Sequence, residues 1–175
     1  MVESLLVALL SVVFSLGAPG PSGRAAQDPA SAFHADTCDA SIWNHVYHGT
    51  FGTAKDRLTV IDACITVTGT VEAALGEADG DRHIRLRVDT KYKKLLNARN
   101  MLGEKGFLVI EPVCELKVTQ ADTLQEGVCQ NFQPNLYRTS MHGKHVSVTG
   151  AYIEDQSPNH GWREIHPVTS ITVIN

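Results

Sequence analysis

The chain has 175 residues, 43% of them hydrophobic and 19% charged, which is enough apolar material for one packed domain and excludes wholesale disorder. Its 15 Lys and Arg stand against 19 Asp and Glu, a formal net charge of −4. That balance speaks against indiscriminate nucleic-acid binding, which runs on excess positive charge. No apolar run of 18 residues occurs outside the N-terminus, so a polytopic helical membrane protein is excluded.

Leu5 to Ala18 is an apolar stretch followed by Pro19-Gly20-Pro21-Ser22-Gly23. It is too short to span a bilayer comfortably and the right length for the h-region of a signal peptide, although the n-region carries Glu3 and no Lys or Arg. Cleavage after Gly17, Ala18 or Ala26 fits the small residues there; an uncleaved anchor or a buried helix is the alternative. The expected organisation is a signal peptide over 1–26, a flexible leader and N-terminal extension over 27–60, and a β-barrel domain over 61–175. The protein is then exported, to a periplasm, a cell surface or the medium. Removal of 1–26 takes Glu3 and Arg24 together and leaves the charge at −4, with no transmembrane span remaining.

All four cysteines, Cys38, Cys64, Cys114 and Cys129, lie beyond the leader. An even count in an exported domain reads as two disulfides. Pairing of nearest neighbours, Cys38–Cys64 and Cys114–Cys129, is the simplest of three connectivities. A zinc site would need close pairs such as C-x-x-C, and there are none.

Residues 38–60 hold Trp43, Val46, Tyr47, Phe51, Leu58 and Val60 without clean periodicity and read as an extension stapled to the domain through Cys38. From Cys64 to Val71, Ile65, Val67 and Val71 share one strand face and threonines the other, with Gly69 marking a bend or bulge. A loop through Asp79-Gly80-Asp81 leads to a second strand, Arg82 to Asp89, with Ile84, Leu86 and Val88 inward and His83, Arg85 and Arg87 outward. A short helical turn is expected around Tyr92, Leu95 and Leu96, closed by Gly103 or Gly106. Phe107 to Val118 reads as a long third strand, bent at Pro112. Thr119 caps a short helix that runs to about Glu126 and stops at Gly127. The fourth strand is His145 to Tyr152, with Gly150 inside it, and the fifth is Trp162 to Ile174, interrupted at Pro167.

The predicted fold class is therefore all-β with one short helix, in the order β-β-β-α-β-β of the OB-fold, a five-stranded Greek-key barrel. Sharp bends at Gly69 and Gly150 suit the closure of a small barrel. A generic small β-sandwich is the alternative.

In OB-folds ligands meet the face of strands two and three, walled by the loops between strands one and two and between strands four and five. Those loops are here residues 79–83 and 159–167. His160, Glu164 and His166, with His83 or Asp81 opposite, supply the imidazole and carboxylate ligands that a divalent transition metal accepts. A turn is the simpler role for Asp79 and Asp81 around Gly80. Arg85 and Arg87, with Trp162 and Tyr152 as stacking surfaces, would instead suit a polyanion or a glycan. No Ser-His-Asp or Cys-His arrangement is legible, so the leading expectation is an exported, non-enzymatic binding module for an unidentified extracytoplasmic ligand. A metal-dependent hydrolase and a structural cell-envelope interaction domain are the alternatives.

Two resemblances bear on this. Asp79-Gly80-Asp81 with Arg85-Leu86-Arg87-Val88-Asp89-Thr90 resembles the D-G-D-T…R-L…D-T-P-E wording of staphylococcal-type nucleases, exported calcium-dependent OB-fold enzymes. Arg82 replaces the threonine, however, and Lys91-Tyr92 replaces Pro-Glu. The segment from Cys64 onward also resembles a group of exported, functionally uncharacterised prokaryotic proteins. The shared wording is Cys64-Ile65-Thr66-Val67-Thr68-Gly69-Thr70-Val71, Asp79-Gly80-Asp81-Arg82-His83-Ile84-Arg85-Leu86, Leu108-Val109-Ile110-Glu111-Pro112-Val113-Cys114 and His160-Gly161-Trp162-Arg163-Glu164-Ile165-His166-Pro167-Val168. That resemblance implies an exported OB-like domain and brings no activity with it.

Overall fold

Five strands carry the apolar alternation of the sequence, and they close on one another. The computed structural model describes residues 35, 37–47 and 57–175; the expected signal peptide and most of the leader lie outside the described residues. The strands are β1 (Leu58–Gly76), β2 (Arg82–Val88), β3 (Leu108–Ile110), β4 (His145–Asp155) and β5 (Arg163–Val173). They follow the order β1-β2-β3-β5-β4 around a closed barrel, in which β4 returns to β1. β3 and β5 run parallel and all other neighbours antiparallel. A ring of five strands leaves no room for the two-sheet sandwich.

Residues that pair across neighbouring strands point to the same side. Ile84 pairs with Ile110 and Ile110 with Ile165, and these join Ile65, Val67, Leu86, Leu108, Val146 and Val148 in the barrel interior. Each such side chain withdrawn from water contributes about 1.5–3 kcal/mol. The glycines inside strands are there for close approach. A Cβ on Gly69 would stand 2.6 Å from the Arg87 carbonyl oxygen, and one on Gly150 would collide with the backbone of Pro167.

Several boundaries differ from expectation. β1 begins at Leu58, inside the stretch read as extension, and runs on to Gly76. The third strand spans three residues instead of twelve. Beyond Ile110 the chain still exchanges bonds with β5 through Glu111, but Pro112 has no N–H to give and Cys114 turns left-handed at φ 55°. Thr119 does not cap the next helix, α2 (Ala121–Glu126): its hydroxyl donates to the Ala78 carbonyl, and Gln120 occupies the cap position without a side-chain bond. The left-handed Gly127 ends α2 as expected. The helical turn over Thr90–Leu95 buries Tyr92 and Leu95, and a second helix, α1 (Ala98–Leu102), follows it unforeseen. β5 continues past Pro167 as one strand, but its pairing with β4 shifts register between Ile165 and Val168, and the peptide bond before Pro167 is cis.

Both disulfides join nearest neighbours, Cys38–Cys64 and Cys114–Cys129, with Cα separations of 5.6 and 5.3 Å. The first holds a 3-10 turn, Ala40–His45, whose Ile42 packs with Val46, Val113 and Cys114 in a second small core.

Candidate functional site

The same pairing rule that puts Ile84, Ile110 and Ile165 inside puts their neighbours on the outer face of the sheet. His83 and Arg85 of β2, Val109 and Glu111 at β3, and Glu164 and His166 of β5 therefore share one outer surface. That surface is covered. His83 is 6% exposed, Glu111 5%, and Glu164 and His166 are fully buried. The expected outward position of His83 is right for the barrel and wrong for solvent, because α1, the segment after it and Trp162 roof this face.

Asn100 fixes the roof. Fully buried, it forms a reciprocal capping pair with Asn97 at the start of α1. It also donates to the Phe107 and Arg163 carbonyls and accepts from the Arg163 N–H. This brings Glu104 over β2. Trp162 closes the other side: its ring stacks on His160 at 4.1 Å, meets His83 edge-on, and its Nε1 donates to Glu164 Oε2 at 3.2 Å.

Beneath the roof runs a chain of alternating carboxylates and imidazoles centred on Glu111. His83 Nδ1 donates to Glu111 Oε1 and His166 Nδ1 to Glu111 Oε2, both at 2.8 Å. The other nitrogen of His83 donates to Glu104 Oε2 at 3.1 Å, an oxygen that Arg85 Nε also reaches at 2.7 Å. The other nitrogen of His166 faces Asp81 Oδ2 at 3.9 Å. Glu164 Oε1 lies 3.6 Å from His166 Nδ1, and Glu77 Oε1 lies 3.6 Å from His83 Nδ1. Asp81 arrives by way of its turn: Gly80 is left-handed at φ 100°, Asp79 Oδ1 accepts from the Asp81 N–H, and Asp81 Oδ1 accepts from the Cys114 N–H. The turn role expected for Asp79 and Asp81 thus positions Asp81 in the cluster.

The electrostatics follow from this crowding. Burial opposes the charge on Glu111, but the bonds from His166 and His83 together outweigh it and hold its carboxyl well below the usual range. Burial also opposes charge on the rings, yet Glu111 with Glu104 raises His83 to about 9, and Glu111 with Glu164 raises His166 well above its ordinary value. Desolvation and the neighbouring Glu111 charge push both Glu164, which is fully buried, and Glu77, at the edge of the cluster, up to about 7. Burial and the neighbouring Asp79 raise Asp81 well above the aspartate range. Glu111 wins the negative charge because both imidazoles stand closer to it than to any rival.

A pocket of about 800 Å³ opens beside the cluster. Glu77, Asp79, Glu111, Asp122 and Asp155 line it, with Tyr47, Arg57 and His160. His160 therefore stands at the pocket wall, apart from the buried chain, with Nδ1 donating to Asp155 Oδ2 at 2.9 Å.

Of the residues singled out by sequence, His83, Asp81, Glu164 and His166 come together, and Trp162 roofs them. Arg85 lies over the cluster, tied to Glu104. Arg87 points away, exposed and bonded to Glu72. Tyr152 is no stacking surface: it is fully buried in the barrel core, its hydroxyl donating to the Leu95 carbonyl. Glu111, the centre of the arrangement, has no expected role in the sequence reading, and neither do Glu104, Glu77 and Asp155. A lone acid in the apolar run Phe107–Val113 is the signal that was available, since a charge inside a buried strand demands partners. No family model, curated protein or solved structure matches the chain.

Proposed function

We propose that this chain is an exported binding module of OB type that holds a divalent transition-metal ion on the outer face of β2, β3 and β5. One observation carries the metal reading. Asp81 Oδ2, Glu164 Oε1 and His166 Nε2 are buried side-chain atoms without a hydrogen-bond partner, and all three belong to groups in contact around the His166 ring. An orphaned buried polar atom costs about 1–3 kcal/mol, more when charged, and a cation held between Asp81 and His166 would satisfy Asp81 Oδ2 and His166 Nε2, which stand 3.9 Å apart. Asp81, Glu111 and His166 each bring a ligating atom within 4.8 Å of the others. Imidazole with carboxylates is a donor set that zinc, manganese and similar ions accept.

The OB reading is supported by the closed five-strand order, by the short helix between β3 and β4, and by the position of the cluster on the β2–β3 face between the β1–β2 and β4–β5 loops. Export is supported by the two disulfides and by the apolar N-terminal segment. No helix among the described residues is long and apolar enough to cross a membrane. The acidic lining of the pocket, and the engagement of Arg85 and Arg87 by glutamates, disfavour the polyanion alternative. A metal-dependent hydrolase is the second reading, favoured by the pocket that reaches Glu111.

The test is elemental analysis and metal titration of the protein made in an oxidising compartment and purified without chelator or His-tag. A bound ion lost in Asp81→Asn and His166→Gln, with the fold retained by circular dichroism, supports the reading. No metal at purification and none taken up on titration with Zn²⁺, Mn²⁺ or Co²⁺ refutes it.

A further inference from the structure

We infer that the covered face takes two divalent ions, with Glu111 as the carboxylate bridge between them. The inference rests on the metal-binding reading above and goes beyond it in number, ligands and access.

The geometry around Glu111 repeats itself. Each of its oxygens faces the Nδ1 of one histidine at 2.8 Å, Oε1 toward His83 and Oε2 toward His166. On the Nδ1 side of each ring stands a further glutamate oxygen at 3.6 Å, Glu77 for His83 and Glu164 for His166. At the Nε2 of each ring stands another acid, Glu104 at 3.1 Å and Asp81 at 3.9 Å. Metal-bound histidines usually give their second N–H to a carboxylate, as His83 Nε2 does to Glu104, and Arg85 anchors Glu104 from behind. Two groups of ligating atoms consequently share one member. Glu77, His83 and Glu111 lie within 4.8 Å of one another, as do Asp81, Glu111 and His166.

Charge completes the argument. Glu77, Asp81, Glu104, Glu111 and Glu164 are five carboxylates packed about two imidazoles and one guanidinium. With neutral imidazoles, two divalent ions and Arg85 balance the five acids, whereas a single ion leaves two negative charges under the roof. Paired-ion centres with bridging oxygen ligands are a recurring arrangement for divalent metals.

The two positions differ in access. The first is sealed: Glu164 and His166 are fully buried. The second borders the pocket, since Glu77 and Glu111 line it and the Glu77 side chain is 39% exposed. An ion there keeps coordination positions open to water or to a ligand oxygen.

Titration with Mn²⁺ alone, read by stoichiometry and by electron paramagnetic resonance, tests this. The expected result is two ions per chain with an exchange-coupled spectrum. Glu77→Gln is a surface-side change that leaves the fold intact; it should retain one ion and give the six-line spectrum of isolated Mn²⁺. His83→Gln, checked for native circular dichroism, should do the same. One ion per chain at saturation, unchanged by Glu77→Gln, overturns the second site and leaves the first standing. Two uncoupled ions, or loss of both in a folded Glu77→Gln, overturns the Glu111 bridge. No ion at all removes the metal-binding reading together with this one.

Discussion

Replacing Glu111 by Gln keeps the volume of the side chain and removes its charge, which isolates the electrostatic work it does. In the wild type the buried carboxylate accepts from His83 and His166 at 2.8 Å on each side, and both rings owe their raised affinity for a proton to it in large part. The amide can accept from only one of them and must present an N–H to the other. Breaking a buried ion pair from one side costs about 3–5 kcal/mol. For a domain of this size that corresponds to a fall in Tm of about 10–20 °C. The assay is thermal unfolding by circular dichroism at neutral pH in the presence of chelator, so that the metal-free protein is compared. The control is Glu72→Gln, which breaks the exposed pair with Arg87 and should cost no more than about 1 kcal/mol. A fall of less than about 3 °C in Glu111→Gln, or equal falls in the two variants, would refute the view that Glu111 is the charged centre of the face.

The pair formed by Asp155 and His160 should give a bell-shaped pH dependence. The bond to Asp155 raises His160, so its contribution is complete below the ordinary histidine value of 6.5 and is lost as pH rises through the raised one. Burial resists the Asp155 charge, but His160 and Arg57 lower its pKa overall, so its contribution is present above 3.8 and is lost as pH falls. The Tm difference between wild type and His160→Gln should accordingly be greatest between 3.8 and 6.5 and shrink on both sides; a flat difference across pH would count against the pair. Substituting Cys114 and Cys129 by Ser opens a loop of 15 residues and should cost about 3 kcal/mol, measured as a lower urea midpoint. Gly69→Ala puts a Cβ against the Arg87 carbonyl oxygen and should cost about 1–3 kcal/mol, whereas Gly143→Ala meets no atom and bears only the strain of its left-handed φ of 72°.

Much of the barrel was legible because period-two alternation survives wherever one face meets an apolar core and the other meets something polar. Ile84, Leu86 and Val88 show this in β2, and Val146 and Val148 in β4. The third strand failed for an instructive reason. Residues 107–114 are apolar almost throughout, so no alternation marks where pairing stops; Pro112, with no N–H to give, and the left-handed Cys114, bonded to Asp81, turn the chain away from the ladder. α1 is too short to show a helical period, and its stability comes from the mutual capping of Asn97 and Asn100 and from bonds to β5. In the site, His83, Asp81, Glu164 and His166 were visible as ligand types near two loops. Their organiser was not, because Glu111 is remote in sequence from both loops and reaches them only through the β2–β3 and β3–β5 pairings. Tyr152 was misread because an aromatic beside a glycine in a strand is compatible with either face, and the bulge near Gly150 decides which.

The placement of charge is the ground on which a ligand is proposed for this face. The barrel interior is packed with aliphatic side chains and two tyrosines and holds none of these residues. The roof over β2, β3 and β5 could therefore seal against aliphatic side chains, as Val109 of β3 is wholly buried on the same face. Well-packed hydrophobic groups in place of a buried ionic cluster are commonly neutral or stabilising by about 1–4 kcal/mol. A chain that instead buries Asp81, Glu104, Glu111 and Glu164 with His83 and His166 on one face, and leaves Asp81 Oδ2, Glu164 Oε1 and His166 Nε2 without a hydrogen bond, forgoes that stability. It does so on the face that borders the pocket, while the exposed charges on the rest of β2 are left to simple surface pairs such as Arg87 with Glu72. A cation at Glu111, as proposed, would turn the same groups from a cost into a source of stability by mass action. A Tm that rises with added Mn²⁺ in the wild type and not in His166→Gln is the direct expression of that exchange, and a Tm that ignores the ion in both would return the cluster to the status of an ordinary buried network.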